Sequence, residues 1–294
     1  MSTSLELLLQ MGRLALKDKT VLITGGSGDI GKASAILFKR AHCNVIITGS
    51  NRDKLDKALD DMTHGDGGGS GKVWAFQCDI RDRKEVEEMV RKTVDECPPI
   101  DILINNAGYA LNATAPFWEQ DTADLESVMN VNLTGLMNVT HAVMRHHMMV
   151  RKPQPTGTIV NLSSITGHQA PLKEFFETSY HTSKAGVEGF TNVLRHETVG
   201  TNIRVLINRP GTVRTEFHTR RNLYDLDKTD GFLGGMCPLA AEDIAVSVFW
   251  QCLQPERISV ITMETLPTAQ RSLYAADKEY EQRNGVGKCD EWQR

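Results

Sequence analysis

Short apolar runs alternate along this chain with longer segments whose apolar residues recur at helical spacing. Seven apolar runs are short enough for buried strands, and they lie at 20–24, 44–48, 73–78, 102–104, 158–162, 203–208 and 258–263. Helical patterns lie at 32–40, 52–62, 83–96, 122–149, 180–199 and 241–253. Alternating strands and helices are typical of an α/β protein. The pattern therefore predicts a doubly wound parallel sheet of about seven strands, with helices on both faces.

The remaining segments carry weaker patterns. Residues 1–17 are expected to be a lead-in, 18–270 a single domain and 271–294 a polar C-terminal tail. The glycine-rich run at 65–71 is predicted to be a surface loop, because no Gly-Lys-Ser/Thr helix start follows it as in a P-loop. Residues 215–237 have no clear period and are expected to cross over a site.

Glycine and polar residues follow the predicted strands at their C-terminal ends. They lie at 25–31, 50, 79, 105–108, 164 and 210–211. In an open α/β sheet, the carboxyl ends of the strands form the edge where ligands bind. The stretch 25–31 lies between a strand and a helix, where small residues let the backbone approach a phosphate and the helix N-terminus offers free N–H groups.

Tyr180 and Lys184 lie four residues apart in a predicted helix, so their side chains are on one face. The ammonium group can lower the pKa of the phenol, which is otherwise a poor acid or base at neutral pH. A tyrosine tuned in this way can exchange a proton with the oxygen of an alcohol or carbonyl group. Such a pair also occurs by chance, so its meaning depends on the other segments at the same sheet edge.

Composition narrows the classes of function. Of the 294 residues, 40% are hydrophobic, which allows a sizeable core, and the net charge of −4 argues against a nucleic-acid partner. The six cysteines are scattered and lack metal-ligand spacing, so we expect reduced thiols and no metal. No apolar run approaches the ~20 residues of a membrane span and no signal peptide is evident, which favours a cytoplasmic protein without a membrane partner.

In this order, the motifs resemble those of the short-chain dehydrogenase/reductase family, which implies a Rossmann fold over about 18–270. The matching motifs are Thr24-Gly25 to Gly31, Asp79, Asn105-Asn106-Ala107-Gly108, Asn130-Val131-Asn132, Ser163-Ser164, Tyr180-x-x-x-Lys184 and Pro210-Gly211. The later part is similar to the NADP-dependent serine/3-hydroxy-acid dehydrogenase branch, and it carries Arg214-Thr215-Glu216-Phe217 and Pro267-Thr268-Ala269-Gln270.

The resemblance implies catalytic roles for Asn132, Ser164, Tyr180 and Lys184. Tyr180 would be the general acid/base, and Lys184 would lower its pKa and hold the nicotinamide ribose. Ser164 would hydrogen-bond the substrate oxygen, with Ser163 as the alternative, because the Ser-x-x-Gly pattern starts at Ser164. Asn132 would hold a water molecule that links Lys184 to solvent.

A nicotinamide dinucleotide is the implied cofactor. Binding roles are implied for Gly25, Ser27, Asp29, Ile30, Gly31, Ser50, Asn51, Arg52, Asp79, Ile80, Asn106, Ala107, Gly108, Tyr180, Lys184, Pro210, Gly211, Val213 and Thr215. The second strand ends at Gly49, so the acidic residue that would repel a 2′-phosphate is absent. Ser50 and Asn51 can donate hydrogen bonds to phosphate, and Arg52 can add charge if it turns inward. NADP(H) is therefore expected in preference to NAD(H).

Three features depart from the family pattern, and one of them is the tail 271–294, which lies beyond the resemblance. Asp29 replaces the middle glycine of the nucleotide motif, where a carboxylate is unfavourable beside a pyrophosphate unless it turns away, for example to cap the helix. The segment between the catalytic serine and tyrosine is longer than usual, which predicts an altered substrate pocket. Its distinctive residues are Lys173, Glu174, Phe175 and Phe176.

The leading hypothesis is an NADP(H)-dependent oxidoreductase that interconverts a secondary alcohol and a ketone by hydride transfer. The substrate is expected to be a 3-hydroxy acid or similar small polar alcohol, with Arg209 or Arg214 as candidate partners for a carboxylate unless they form structural ion pairs. A bulkier, polyketide-derived ketone is the alternative, and a non-catalytic dinucleotide-binding regulator is a third. The resemblance also implies a homo-oligomer, a tetramer or dimer, built through the helices near 122–149 and 180–199.

Overall fold

A computed structural model of the chain describes residues 3–64, 69–111, 115–171, 176–221 and 224–285. Some sequence predictions fall partly or wholly outside the described residues. They are the loop at 65–71, the positions Lys173, Glu174 and Phe175, and the part of the tail beyond 285.

Within the described residues, seven parallel strands form one sheet in the order β3-β2-β1-β4-β5-β6-β7. The strands are β1 (Thr20–Thr24), β2 (Asn44–Gly49), β3 (Val73–Gln77), β4 (Ile102–Asn105), β5 (Thr156–Leu162), β6 (Asn202–Pro210) and β7 (Thr262–Thr265). The predicted fold class is confirmed. The strand order reverses between β1 and β4, which makes their C-terminal ends the switch point where ligands bind.

Strand β7 begins later than the sequence predicts. The apolar run suggests a strand at 258–263, but pairing with β6 runs from Ile207↔Thr262 to Pro210↔Thr265. The Ile258 N–H closes a turn onto a carbonyl three residues earlier, at 2.7 Å. The chain therefore joins the sheet only after this turn.

Helices cover both faces of the sheet. They are α1 (Thr3–Ala15), α2 (Asp29–Arg40), α3 (Arg52–His64), α4 (Arg83–Glu96), α5 (Thr122–Met129), α6 (Leu136–Val143), α7 (Thr178–Glu197), α8 (Glu216–Arg221), α9 (Leu226–Leu233), α10 (Ala241–Leu253) and α11 (Tyr280–Asn284). The helix predicted at 122–149 is continuous from α5 onwards, but π-helical turns at Asn130–Gly135 and Met144–Met148 interrupt its α-helical pattern.

Successive residues of the central strands pack against opposite layers, because side chains along a strand alternate between its two faces. Val21 and Ile23 belong to one core, together with Phe38 of α2 and Phe249 of α10. Leu22 belongs to a second core, which includes residues of α4 and α6. Burial on both faces explains why the strands are continuous apolar runs in the sequence.

Helix α1 forms in the segment that the sequence predicts as a lead-in. Leu9 is 1% exposed and belongs to the same core as α2 and α10, whereas Leu14 on the same helix is 89% exposed. The hydrophobic core therefore extends into the first 17 residues.

We expect Leu9→Ala to lower the free energy of unfolding by about 2–5 kcal/mol, because it leaves a cavity between α1 and the core. Leu14→Ala is the matched control and should change stability by less than about 0.5 kcal/mol. Urea unfolding followed by circular dichroism measures both variants. Equal effects of the two substitutions would contradict the packing of α1 on the core.

Cys237 differs from the other described cysteines. It forms a disulfide bond, whereas Cys43, Cys78, Cys97 and Cys252 are free thiols. The prediction that all cysteines are reduced is therefore wrong for Cys237. Spacing along the chain does not indicate this bond, because disulfide formation depends on how close two cysteines lie in the folded protein.

Two kinds of feature are absent from the described residues. None of their helices is both long enough and apolar enough to cross a membrane. Their His, Cys, Asp and Glu side chains also form no group of three or more that could hold a metal ion.

Candidate active site

A cleft of about 910 Å³ lies at the C-terminal edge of the sheet. Its wall brings together residues from most of the segments that the sequence assigns to the site. These wall residues are Gly25, Ser27, Asp29, Ile30, Ser50, Asn51, Asp79, Ile80, Asn106, Ala107, Gly108, Ser164, Tyr180, Lys184, Pro210, Gly211, Val213 and Thr215. Their individual roles stay predictions, but their proximity is a property of the fold.

Three residues assigned to the site do not line the cleft. Gly31 and Asn132 are buried next to wall residues. Arg52 is exposed and pairs with Asp56, one turn along α3, at 2.8 Å. It does not make the inward turn that would bring it to a phosphate, whereas Lys54 of the same helix does line the cleft.

The floor of the cleft fits a dinucleotide, because side chains are absent where the backbone segments meet. Gly25 has a φ of +62°, a left-handed conformation that favours glycine. A Cβ on Gly31 would lie only 2.3 Å from the carbonyl oxygen of Gly25. The Asn106 amide donates to the carbonyls of Thr24 and Gly25 at 2.9 and 3.1 Å, which fixes this turn. Helix α2 begins at Asp29 on the cleft wall, so its N-terminus can face an anionic group.

The Asp29 side chain does not bond to its own helix, α2, but to the backbone of a distant segment. Its carboxylate accepts a hydrogen bond from the Glu216 N–H at 2.7 Å, and Glu216 is the first residue of α8. Helix α2 has Gly28 at its N-cap and no side-chain cap. Capping of α2, which the sequence offers as one example of how Asp29 could turn away, does not occur, and the carboxylate caps α8 instead.

The two serines of the pair have different hydrogen-bond partners. Ser164 lies beside the Tyr180 side chain and favours its ionised form, and the Ser164 Oγ accepts the Thr166 N–H at 3.2 Å. The Ser163 hydroxyl instead donates to the Lys184 carbonyl at 3.4 Å. This geometry favours Ser164 as the serine that faces a substrate.

Lys184 is buried beside Tyr180, with Nζ 5.8 Å from the centroid of the phenol ring. Its Nζ donates to the carbonyl of Leu162, at the end of β5, at 2.8 Å. Burial lowers the pKa of Lys184 to about 8, against the opposing charge of Glu188. The side chain is therefore mostly protonated at pH 7 and places a cation beside the tyrosine.

Asn132 is fully buried in the first π-helical segment. Its Oδ1 accepts the Tyr109 N–H at 3.0 Å, and its Nδ2 donates to the Tyr109 carbonyl and to Ser183 Oγ. A Cβ on Gly108 would lie 3.2 Å from Asn132 Oδ1 and 3.4 Å from Lys184 Nζ, so both groups border this glycine. π-Helical turns are frequent at functional sites. The water-holding role of Asn132 stays a prediction.

Burial raises the pKa of Tyr180, and the Glu177 carboxylate adds to this shift. The adjacent Ser164 hydroxyl and the charge of Arg221 oppose it. Glu177 and Arg221 form an ion pair that joins the start of α7 to the end of α8. The net shift is opposite to the lowering that the sequence predicts, because burial and Glu177 together outweigh Ser164 and Arg221. The phenol therefore stays protonated at neutral pH and can donate to a carbonyl oxygen.

We expect Glu177→Gln to lower the Tyr180 pKa, because it removes a carboxylate that opposes ionisation while Arg221 remains. Alcohol oxidation needs the phenolate, so its rise with pH should move to lower pH, with roughly a threefold or larger gain in rate at pH 7. The pH profile of the oxidation rate measures this shift.

The matched control is Glu197→Gln, at the C-terminal end of α7, which should leave the profile unchanged. A profile that stays in place or moves to higher pH in Glu177→Gln would contradict the role of this carboxylate.

Sequence reasoning missed much of the cleft wall. The missed residues include Lys54, Arg81, Tyr109, Glu177, Phe217, Arg220, Arg221, Tyr224, Phe232, Met236, Leu273, Tyr274 and Lys278. Many lie within 215–237, which the sequence correctly marks as an excursion near the site. The residues beyond 270 carry no comparable pattern.

The chain beyond 270 forms part of the wall through contacts with distant segments. The Tyr274 hydroxyl donates to the Ala170 carbonyl, in the loop after Ser164, at 2.6 Å. Lys278 Nζ donates to the carbonyl of Phe232 in α9. The C-terminal region thus links the two segments that surround the substrate side of the cleft.

Residues 19–224 match the model of the short chain dehydrogenase family. The chain belongs to the short-chain dehydrogenase/reductase family. It is therefore an oxidoreductase that acts on CH–OH groups and binds a nicotinamide dinucleotide. The resemblance inferred from the motifs is confirmed.

Several members of this family align over most of their length. Sulfoacetaldehyde reductase 2 of Chromohalobacter salexigens is 33% identical over 260 residues, which cover 88% of this chain and 98% of that protein. Serine 3-dehydrogenase of Agrobacterium fabrum is 32% identical over 251 residues, which cover 85% and 94%. Among solved structures, the closed form of serine dehydrogenase complexed with NADP+ superposes with a TM-score of 0.75 at 30% identity, covering 85% of this chain and 96% of that one.

Proposed function

We propose that this short-chain dehydrogenase/reductase is an NADP(H)-dependent enzyme that interconverts a secondary alcohol and a ketone, with Tyr180 as general acid/base. The main support is that Tyr180, Ser164 and Lys184 share one cleft with the glycine turn. A non-catalytic regulator would need the turn but not a tyrosine, a serine and a lysine brought together on the same wall.

When bound, a nicotinamide cofactor supplies or accepts the hydride. In the reduction direction, Tyr180 donates its phenolic proton to the carbonyl oxygen of the substrate, and Ser164 holds that oxygen by a hydrogen bond. The Lys184 ammonium stabilises the phenolate that this transfer leaves. Asn132, which borders Lys184 across Gly108, would return the proton through water.

The preference for NADP(H) rests on the end of β2. Gly49 has no side chain to repel a phosphate, and Ser50, Asn51 and Lys54 lie on the cleft wall beside it. The similar serine dehydrogenase complexed with NADP+ supports the same cofactor.

A small anionic substrate, such as a 3-hydroxy acid, is the first candidate. The named activities of the relatives support it, since serine and sulfoacetaldehyde both carry an acidic group. Arg220 is the cation best placed to bind such a group, because it lines the cleft, lies 5.0 Å from the Tyr109 ring, and forms no ion pair within the described residues. Arg209 instead makes a bidentate pair with Glu188, at 2.8 and 2.7 Å, which is a structural role.

A bulkier ketone is the second candidate, and the composition of the wall favours it. The substrate side of the cleft carries large apolar and aromatic side chains, namely Phe217, Tyr224, Phe232, Met236, Leu273 and Tyr274. Such a surface gains free energy when an apolar substrate covers it.

A direct test follows NADPH consumption with small 3-oxo acids and with bulky aromatic ketones, and NADP+ reduction with serine and 3-hydroxy acids. Turnover of any of these with NADPH supports the proposed reaction, and the faster class identifies the substrate group. If NADPH binds tightly and no carbonyl compound is reduced, the protein would be a regulator instead.

We also propose a cytoplasmic homo-oligomer whose family domain covers 18–270, with α1 packed on its core and the chain beyond 270 completing the cleft wall. The family resemblance supports this assembly and these boundaries. Size-exclusion chromatography with light scattering would distinguish a monomer from the expected tetramer or dimer.

A further inference from the structure

The end of the cleft beside β2 contains charges from the first turn of α3. Ser50, Asn51 and Lys54 line the wall there. The Asn51 side chain caps α3, since its Oδ1 accepts the Lys54 N–H at 2.8 Å. Arg52 pairs with Asp56 and does not line the cleft, so Lys54 is the cation that this turn places on the wall.

Lys54 forms an ion pair with Glu216, which lies 162 positions away in the sequence. Its Nζ donates to both carboxylate oxygens of Glu216 at 3.0 Å. Glu216 begins α8, and its backbone N–H is held by Asp29. The first residue of α8 therefore has two contacts with the part of the chain that surrounds the glycine turn.

We propose that Lys54 is the cation that recognises the ribose 2′-phosphate of NADP(H), and that the ion pair between Lys54 and Glu216 breaks when this phosphate binds. The inference rests on the proposed NADP(H)-dependent function. It assigns the discrimination between NADP(H) and NAD(H) to Lys54 and Glu216, and it replaces the role that the sequence suggests for Arg52.

The charges make this exchange favourable. A phosphomonoester carries a charge of about −1.5 to −2 at pH 7, compared with −1 for a carboxylate, and lysine binds phosphate as a point charge. The Lys54 and Glu216 side chains are 56% and 49% exposed, and exposed ion pairs are weak. A 2′-phosphate can therefore displace Glu216. The Glu216 carboxylate also repels the phosphate, so it weakens the binding of NADP(H) without a comparable effect on NAD(H).

The test titrates the full-length protein with NADPH and with NADH and follows nucleotide fluorescence. Lys54→Met should weaken NADPH binding by about tenfold or more and change NADH binding by less than about twofold. Lys54→Arg should retain most of the NADPH affinity, because it keeps the charge. Glu216→Gln should tighten NADPH binding by about threefold, with little effect on NADH.

A second ion pair in α3 provides a matched control. Arg52 and Asp56 are also 56% and 49% exposed, and their pair lies within the same helix. Arg52→Met and Asp56→Asn should leave the affinities for both nucleotides unchanged. These variants control for a general change in surface charge near the cleft.

Three outcomes would overturn the inference: equal weakening of NADPH and NADH by Lys54→Met, loss of NADPH affinity in Arg52→Met, or a Glu216→Gln variant that does not bind NADPH more tightly. Failure of the proposed function is distinguishable, because the unmodified protein would then bind neither nucleotide or would reduce no ketone. If it reduces ketones with NADPH but Lys54→Met binds NADPH normally, the function stands and only the role of Lys54 fails.

Discussion

Replacing Tyr180 with phenylalanine should lower kcat for an accepted ketone by about 10²–10⁴-fold, the usual contribution of a positioned general acid. The ring still packs against Phe217, whose centroid lies 5.4 Å away, so the cleft keeps its shape. NADPH affinity should therefore change by less than about twofold, because the substitution removes only the proton donor. Single-turnover kinetics with bound cofactor would isolate the chemical step.

Tyr224→Phe is the matched control for this experiment. Tyr224 also lines the cleft, but it is 63% exposed and lies in the excursion after α8. Its substitution should leave kcat within about threefold of the unmodified enzyme. If Tyr180→Phe retains normal turnover, or if Tyr224→Phe is the inactive variant, the assignment of Tyr180 as general acid fails.

Gly31→Ala should have the largest effect on cofactor binding. The new Cβ would lie 2.3 Å from the Gly25 carbonyl oxygen and 2.7 Å from the Asn106 amide nitrogen. Backbone atoms must move to relieve this contact, which we expect to lower the free energy of unfolding by about 1–3 kcal/mol. The displaced turn should weaken NADPH binding by about tenfold or more, because the N–H groups that face the cofactor move with it.

Gly189→Ala, in α7, is the control for the loss of glycine from a helix. Apart from the backbone of its own helical turns, a Cβ at this position meets nothing within 4 Å, so the substitution should stabilise the protein by up to about 1 kcal/mol. Thermal unfolding of the two variants should therefore shift in opposite directions, and NADPH titration should show weaker binding only in Gly31→Ala. Normal NADPH affinity in Gly31→Ala would mean that the glycine turn does not hold the cofactor.

Local patterns predicted the sheet well, because parallel strands are buried on both faces and appear as apolar runs. The exception, β7, shows the limit of this rule. Its predicted run at 258–263 is apolar, yet a turn at Ile258 delays pairing to Thr262. An apolar run indicates burial, but only hydrogen-bonded partners define a strand.

Site residues that lie close together in the sequence could be predicted, whereas those that meet only through folding could not. Tyr180 and Lys184 share a helix, so their spacing alone places them together. Whether the Tyr180 pKa rises or falls depends on its burial and on the charges of Glu177 and Arg221, which meet only in the folded chain. The direction of that shift was therefore beyond the reach of sequence spacing.

Residues close together in the chain are enough to specify the doubly wound sheet, the glycine turn at one edge and the Tyr180–Lys184 pair. Contacts between distant segments place the Asp29 carboxylate at the start of α8, 187 residues away, and Lys54 rather than Arg52 on the cleft wall. Such contacts also bring the chain beyond 270 to the wall. Periodicity records which face of an element is buried, whereas these contacts depend on the paths of loops that have no period.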